Sequence, residues 1–274
     1  AKAPKGLRGN KIIFPKISVG ATTNILMASV LANGTTEIVN SAKEPEIIDL
    51  GNCLKSMGAK IHGLGTNRIV VQGVSNLKES SYQVMYDRIE IGTYALATAI
   101  TGGEIELLGA KKEFLNSFLN ILEIIGVKYF ITDESIIFKK NSNTLYPIDV
   151  TTEPYPGFPT DLQAQLMAVM STSNGTSFIT ENIFENRFMH VPELIRMGAK
   201  IKLKGNLAII EGIKKLKGAE VMATDLRASV SLVLAGLVAE GETNIGRVYH
   251  IDRGYQNIVE NLRECGAMIK RIKV

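Results

Sequence analysis

Met57-Gly58-Ala59-Lys60-Ile61 returns downstream as Ile125-Gly126-Val127-Lys128, Met197-Gly198-Ala199-Lys200-Ile201 and Cys265-Gly266-Ala267-Met268-Ile269, at steps of 68, 72 and 68 residues. A second marker runs in phase with it. Asn33-Gly34-Thr35-Thr36-Glu37-Ile38, Gly102-Gly103-Glu104-Ile105, Asn174-Gly175-Thr176-Ser177-Phe178-Ile179 and Glu240-Gly241-Glu242-Thr243-Asn244-Ile245 place Gly34, Gly103, Gly175 and Gly241 at steps of 69, 72 and 66. Glycine behind an apolar helical run reads as a C-cap, because it takes the left-handed conformation that ends a helix and lets the chain turn into a strand. Two markers in phase predict four copies of one unit of about 70 residues, each with two helices separated by short strands. The fold class is therefore α/β (α+β).

Composition limits the functions open to such a chain. Its 274 residues, 45% hydrophobic and 21% charged, suffice for one large or two smaller globular domains. No apolar run approaches the length of a membrane span, and the opening Ala1-Lys2-Ala3-Pro4-Lys5-Gly6 carries no signal-peptide core. The missing initiator Met reads as a trimmed or partial chain, and a cytoplasmic location is the expectation. Lys and Arg are interspersed with Asp and Glu, and there is no Trp, so the net charge of +4 does not predict nucleic-acid binding. Mild basicity suits a small anionic substrate better. Cys53 and Cys265 have neither metal-ligand spacing nor a disulfide framework, and both read as core side chains. His62, His190 and His250 show no ligand spacing, so neither a metal nor another cofactor is expected.

The charged residues gather at the helix starts. Ser18, Asp87, Asp161 and Asp225 stand 16, 16, 14 and 16 residues before Gly34, Gly103, Gly175 and Gly241. By type they are N-caps, and the plain reading is that each satisfies free backbone amides, worth about 1 kcal/mol. Two have unusual surroundings. Asp161 follows Pro154-Tyr155-Pro156-Gly157-Phe158-Pro159-Thr160, which packs three of the eight prolines into six residues and would hold a carboxylate in one place. Asp225 is followed by Leu226-Arg227, putting acid and base together at a helix start that itself favours anions. Glu44-Pro45-Glu46, Arg187 and Asp252-Arg253 lie at or near the starts of second helices. Arginine's planar fork suits phosphate and carboxylate, although a solvated surface role is the plain alternative.

In combination these stretches resemble the UDP-N-acetylglucosamine 1-carboxyvinyltransferase (UDP-N-acetylglucosamine enolpyruvyl transferase) family over essentially the whole chain. The resemblance is carried by Lys16-Ile17-Ser18-Val19-Gly20-Ala21-Thr22, Glu44-Pro45-Glu46-Ile47, Asp87-Arg88-Ile89-Glu90, Phe158-Pro159-Thr160-Asp161-Leu162-Gln163-Ala164-Gln165, and the stretches 184–192, 222–228 and 249–255. It implies transfer of the enolpyruvyl group of phosphoenolpyruvate to the 3-hydroxyl of UDP-N-acetylglucosamine with release of phosphate, the first committed step of peptidoglycan synthesis. It further implies Asp161 as the catalytic base, and Lys16, Ile17, Ser18, Val19, Asp161 and Ile183 along the sugar nucleotide. Arg187, Asp225 and Arg253 would hold phosphoenolpyruvate. A hydroxyl adding to an enol carbon needs a proton acceptor on oxygen and a donor to the methylene carbon, and Asp161 suits the first task.

The implied fold is an inside-out α/β barrel, helices inside and sheets facing solvent. Residues 1–85 would be the last part of a loop-bearing first domain, and 86–274 a second domain of three units. The family has six units where this chain shows four. About two N-terminal units, with the mobile loop bearing a catalytic Cys or Asp, are therefore expected outside the chain, and with them the proton donor and the residue that decides whether fosfomycin inhibits. That N-terminal segment is the one macromolecular partner expected. Two alternatives stand beside this reading: a 5-enolpyruvylshikimate-3-phosphate synthase-like enzyme with a shikimate phosphate acceptor, and an inactive fragment or repeat scaffold whose charged helix starts are only caps.

Overall fold

In the computed structural model, which describes residues 2–140 and 144–272, the chain divides into two compact units, one of residues 1–85 with Pro154–Pro156 and one of 86–153 with 157–274. The first unit holds one copy of the repeat. Strands β1 (Lys11–Ile13), β2 (Thr35–Val39), β3 (Lys60–His62) and β4 (Arg68–Gln72) form a sheet in the order β1-β2-β4-β3, parallel between β1 and β2 and antiparallel elsewhere. Helices α1 (Val19–Ser29) and α2 (Pro45–Ser56) supply Leu26 and Ile47, which share a core with Ile38, Ile69 and Val71 of the sheet.

Three copies make up the second unit. Helix α3 (Arg88–Thr101), strand β5 (Gly103–Leu108), helix α4 (Asn116–Ile124) and strands β6 (Lys128–Ile131) and β7 (Ser135–Lys140) form the first copy, with sheet order β5-β7-β6. The next copy repeats the four-stranded pattern of the first unit. It contains β8 (Asp149–Thr151), α5 (Gln163–Met170), β9 (Thr176–Thr180), α6 (Val191–Arg196), β10 (Lys200–Lys204) and β11 (Leu207–Glu211), in the order β8-β9-β11-β10. The last copy has β12 (Glu220–Met222), α7 (Leu226–Gly236), β13 (Asn244–Gly246) and α8 (Ile258–Glu264), and its described sheet is the parallel pair β12-β13.

Helices α3, α5 and α7 are buried on nearly every side: all of α5, and the run Ala228–Ala235 of α7, are buried. A helix apolar all round must be surrounded by protein, and here the three pack on one another. The sheets lie outside, with alternation such as buried Ser177 and Ile179 against exposed Thr176 and Phe178 on β9. This is the inside-out α/β barrel.

The markers take distinct structural roles. Gly58, Gly126, Gly198 and Gly266 have φ of +101°, +98°, +91° and +94°, directly behind α2, α4, α6 and α8. There the next amide returns to the helix: Ala59, Val127, Ala199 and Ala267 donate to Leu54, Leu122, Leu194 and Leu262 at 2.8–3.0 Å. The second marker works differently from its reading as a C-cap. Gly34, Gly175 and Gly241 fall several residues beyond α1, α5 and α7, at strand entry, whereas Gly103 follows its helix closely with Gly102 as the cap.

Cys265 is exposed, which corrects its reading as a core residue. Of its repeat equivalents, Ile125 and Met197 are fully buried and Met57 is half-buried. In the last copy a cavity of about 1000 Å³, lined by Tyr94, Leu237, Ile245, Leu262, Cys265 and Ile269, occupies the corresponding place. Cys53 is half-buried.

Candidate active site

At three of the four helix starts the acidic or hydroxyl residue is a cap. Ser18 Oγ accepts from Ala21 N at 3.2 Å. Asp87 Oδ1 accepts from Ile89 N and Glu90 N at 2.7 and 3.1 Å, and Asp225 Oδ1 from Arg227 N and Ala228 N at 2.7 and 2.8 Å. Asp161 is not a cap, contrary to its reading by residue type. It lies inside a 3-10 turn, Thr160–Leu162, that opens at Pro159 and runs into α5. Pro159 is the residue 16 before Gly175, so the two-residue shortfall at Asp161 is real: the cap position is proline, and Asp161 stands where Arg227 stands in the next copy.

Freed from capping, the Asp161 carboxylate meets guanidinium groups. Arg187 Nη2 donates to Asp161 Oδ1 at 2.7 Å, while Arg187 Nη1 donates to Thr160 Oγ1 at 2.7 Å. Thr160 Oγ1 in turn donates to Glu181 Oε2 at 2.7 Å. Glu181 is buried and its Oε1 accepts from Thr152 Oγ1, Ile183 N and Phe184 N at 2.8, 2.8 and 3.1 Å. Because a buried carboxylate needs its oxygens satisfied, Glu181 fixes both Thr160 and the turn carrying Ile183 and Phe184. The Phe184 ring lies 4.9 Å from the Arg187 guanidinium carbon and completes the cradle.

Arg227 enters from α7. Its Nε is 3.6 Å from Asp161 Oδ2 and its Nη2 4.0 Å from Asp87 Oδ2, so one cation bridges the starts of α5 and α3. Burial works against its charge, but the neighbouring Tyr255 and Asp161 outweigh it and hold the Arg227 pKa above the ordinary guanidinium value. Asp161, Arg187, Asp225, Arg227 and Arg253, with Thr224, Leu226 and His250, line one cavity of about 390 Å³. Three guanidiniums against two carboxylates, one of them engaged in capping, make this cavity suited to a small ligand with more than one negative charge.

Of the residues singled out in the sequence, Asp161, Arg187, Asp225 and Arg253 therefore share this cavity. Ile183, 37% exposed, sits on the Glu181-bound turn outside its lining. Lys16, Ile17, Ser18 and Val19 lie at the start of α1 in the first unit, with Ile17 39% and Val19 40% exposed. Arg253 belongs to a 3-10 turn, Val248–Arg253, ahead of α8 rather than to the helix itself. Arg227, Thr160 and Glu181 were not assigned from the sequence. Arg227 had a signal, its place two residues inside a capped helix start, while Glu181 has none, since its partners are spread from 152 to 184.

His190, fully buried at the start of α6, has no hydrogen-bond partner for either ring nitrogen among the described residues. Burial pushes its pKa down to about 4, with Asp225 opposing and Arg187 adding to the effect, so it is neutral beneath the site. Among the described residues no cluster of three or more His, Cys, Asp or Glu side chains could hold a metal ion, and no helix is long and apolar enough to cross a membrane.

Comparison with known proteins gives a consistent result. The sequence model of the EPSP synthase (3-phosphoshikimate 1-carboxyvinyltransferase) family matches residues 2–262. The chain is 57% identical over 272 residues to the UDP-N-acetylglucosamine 1-carboxyvinyltransferase of Xanthobacter autotrophicus, covering 99% of this chain and 63% of that protein. It is 56% identical over 273 residues to the same-named protein of Agrobacterium fabrum, covering 99% and 64%. Among solved structures it is similar to the enolpyruvyl transferase NikO from Streptomyces tendae, with a TM-score of 0.84, 25% identity, and 92% of this chain and 60% of that chain covered. EPSP synthase from Acinetobacter baumannii shares the fold at a TM-score of 0.73 and 21% identity, with 98% of this chain and 64% of that chain covered. The chain thus spans a little under two thirds of the length of these relatives.

Proposed function

The chain belongs to the EPSP synthase (3-phosphoshikimate 1-carboxyvinyltransferase) family, and we propose that it carries the acceptor and donor grip of an enzyme that transfers the enolpyruvyl group of phosphoenolpyruvate to the 3-hydroxyl of UDP-N-acetylglucosamine, in peptidoglycan synthesis in the cytoplasm. The observation that carries this reading is the uncapped Asp161 carboxylate, which shares a cavity with Arg187, Arg227 and Arg253. The 55–57% identity to proteins named for the sugar nucleotide, against 21–22% to EPSP synthases, supports the choice of acceptor.

On this reading Asp161 takes the proton of the acceptor hydroxyl as its oxygen bonds to C2 of phosphoenolpyruvate, while a proton from outside this chain adds to C3. Phosphate then leaves C2 and a proton leaves C3, which restores the double bond. Arg187 and Arg253 hold the phosphate and carboxylate, an electrostatic and positioning contribution worth several kcal/mol. Asp225 caps α7 beside the reacting carbons. Lys16, Ile17, Ser18 and Val19 of the first unit, with Ile183, contact the sugar nucleotide. We place residues 1–85 as the closing part of a first domain and 86–274 as the second, and the rest of the first domain as the segment that supplies the proton donor.

The test measures phosphate release from phosphoenolpyruvate with UDP-N-acetylglucosamine or shikimate 3-phosphate, using this chain alone and joined to the N-terminal part present in the Xanthobacter relative. Release with the sugar nucleotide in the joined chain is the expected result. Release with shikimate 3-phosphate alone would transfer the reading to the other acceptor, and none with either would leave a scaffold.

A further inference from the structure

Below the cavity, three buried side chains from three separate elements meet. The Tyr255 hydroxyl lies 3.0 Å from Thr93 Oγ1 of α3, and Gln165 Nε2 of α5 is 3.2 Å from each of them and 2.9 Å from the backbone oxygen of Asp161. Tyr255 is 2% exposed, Thr93 2% and Gln165 0%. The proton directions can be assigned. Thr93 Oγ1 donates to Ile89 O at 2.9 Å, so its hydrogen is committed and Tyr255 must be the donor in their shared bond. Gln165 then supplies one amide hydrogen to the Asp161 carbonyl and shares the other between the two hydroxyl oxygens. The aromatic face of Tyr255 supports Arg227, whose guanidinium carbon is 5.5 Å from the ring centre.

Two features of the site lead back to this cluster. Asp161 is presented to the cavity because its turn is 3-10, and Gln165 holds that turn by its carbonyl. Arg227 reaches Asp161 and Asp87 from above Tyr255, while its Nη1 is buried with no hydrogen-bond partner among the described residues. The guanidinium is held through its other nitrogens, by the ion pairs to Asp161 and Asp87, and by Tyr255, which bonds it and lies beneath it. The ring beneath it is fixed in turn by the bonds of its hydroxyl to α3 and α5.

We propose that Gln165 and Tyr255 are positioning residues for this site: with Thr93 they lock the starts of α3, α5 and α7 in register, so that Asp161 and Arg227 face the ligand in fixed geometry. Neither touches the reacting atoms. The inference builds on the functional reading but has a readout independent of it.

The experiment records the Nε–Hε resonances of the arginines by NMR in this chain, with Arg227→Lys assigning the signal of interest, and measures phosphoenolpyruvate binding to the joined chain by calorimetry. Tyr255→Phe keeps the ring and removes only the hydroxyl. Gln165→Met keeps the length and removes the amide. Thr93→Ser keeps the hydroxyl and serves as the conservative control. In the first two variants the Arg227 signal is expected to collapse toward the averaged position of a mobile arginine, and phosphoenolpyruvate affinity to fall roughly tenfold, as expected for one hydrogen bond lost from a network ending on charged groups. Thr93→Ser should keep both near wild type. An Arg227 signal unchanged in Tyr255→Phe and Gln165→Met, with only the melting temperature lowered, would overturn the proposal and reduce the cluster to core structure. If this chain shows a resolved Arg227 signal but the joined chain binds no phosphoenolpyruvate, the functional reading fails, while the signal in the variants still decides the positioning role.

Discussion

The third and fourth copies of the repeat are built on one plan and spend their equivalent positions differently. In the fourth, Asp225 caps α7 and Arg227 follows two residues later; in the third, Pro159 takes the cap position and Asp161 stands at the place of Arg227. These two equivalent residues, an acid and a base, face each other at 3.6 Å. A pseudo-symmetric barrel brings the same position of each of its three copies to the same end of the second unit. A change of residue type at one position thus suffices to build a mixed-charge site there. The difference also separates two jobs of one residue type: an aspartate bonded to two amides serves its helix, whereas one excluded from them is available to a ligand.

The sharpest way to break the comparison is to neutralise the uncapped acid. In the joined enzyme Asp161→Asn is expected to lower the rate of phosphate release by about 10²–10⁴-fold, the usual contribution of a positioned general base. Because Asp161 bonds no helix amide and its ion pairs are part-exposed, the stability of the chain should change by less than about 1 kcal/mol. Equal losses of stability and rate would make Asp161 structural like Asp225.

Next in size is the contrast behind the second helices. Met197, fully buried in the third copy, and exposed Cys265, its equivalent in the fourth, should respond very differently to truncation. Met197→Ala is expected to cost about 2–5 kcal/mol in denaturant unfolding, and Cys265→Ala less than about 0.5 kcal/mol. A thiol reagent should accordingly label Cys265 faster than half-buried Cys53.

The parts of the molecule legible in the sequence are those fixed by neighbours along the chain. Gly58, Gly126, Gly198 and Gly266 reveal the period because each ends its own helix and lets the next amide bond a carbonyl five residues before it. The spacing of 14 rather than 16 before Gly175 already recorded that Asp161 stands apart, although residue type alone suggests a cap. Other features depend on contacts between distant positions. Arg187 meets Asp161 across 26 residues, and Tyr255 meets Gln165 and Thr93 across 90 and 162, separations at which no local pattern fixes the partner. The exposure of Cys265 was hidden for the same reason, because burial at a helix end depends on what the rest of the chain packs against it rather than on the helix that bears it.

A third contrast lies at the start of the second helices, where His190 in the third copy corresponds to Ile258 in the fourth, each seven residues before Met197 or Cys265. With its folded pKa lowered to about 4, His190 binds fewer protons than the unfolded chain between that value and about 6.5. The folded state is therefore favoured at higher pH, and this contribution is lost as the pH falls through that window, by up to about 3 kcal/mol. His190→Ile, which imports the residue of the fourth copy, should flatten the stability profile between pH 6.5 and 4, measured by urea unfolding at each pH. A profile of unchanged slope would show that other groups carry the acid sensitivity.

The smallest effect is the most diagnostic of how the two aspartates divide their work. Asp225→Ala removes both bonds to Arg227 N and Ala228 N and should cost about 1 kcal/mol, within the 0.5–2 kcal/mol typical of a lost N-cap. Asp225→Ser can restore one acceptor and should recover most of that stability. If Asp225 acts only through α7, serine should also recover phosphoenolpyruvate binding. If its carboxylate acts on the ligand as well, the serine variant will regain its melting temperature and remain weak in binding. The stability and affinity of that one variant, measured side by side, thus decide whether the fourth copy's aspartate is solely a cap or shares the role that the third copy gives to Asp161.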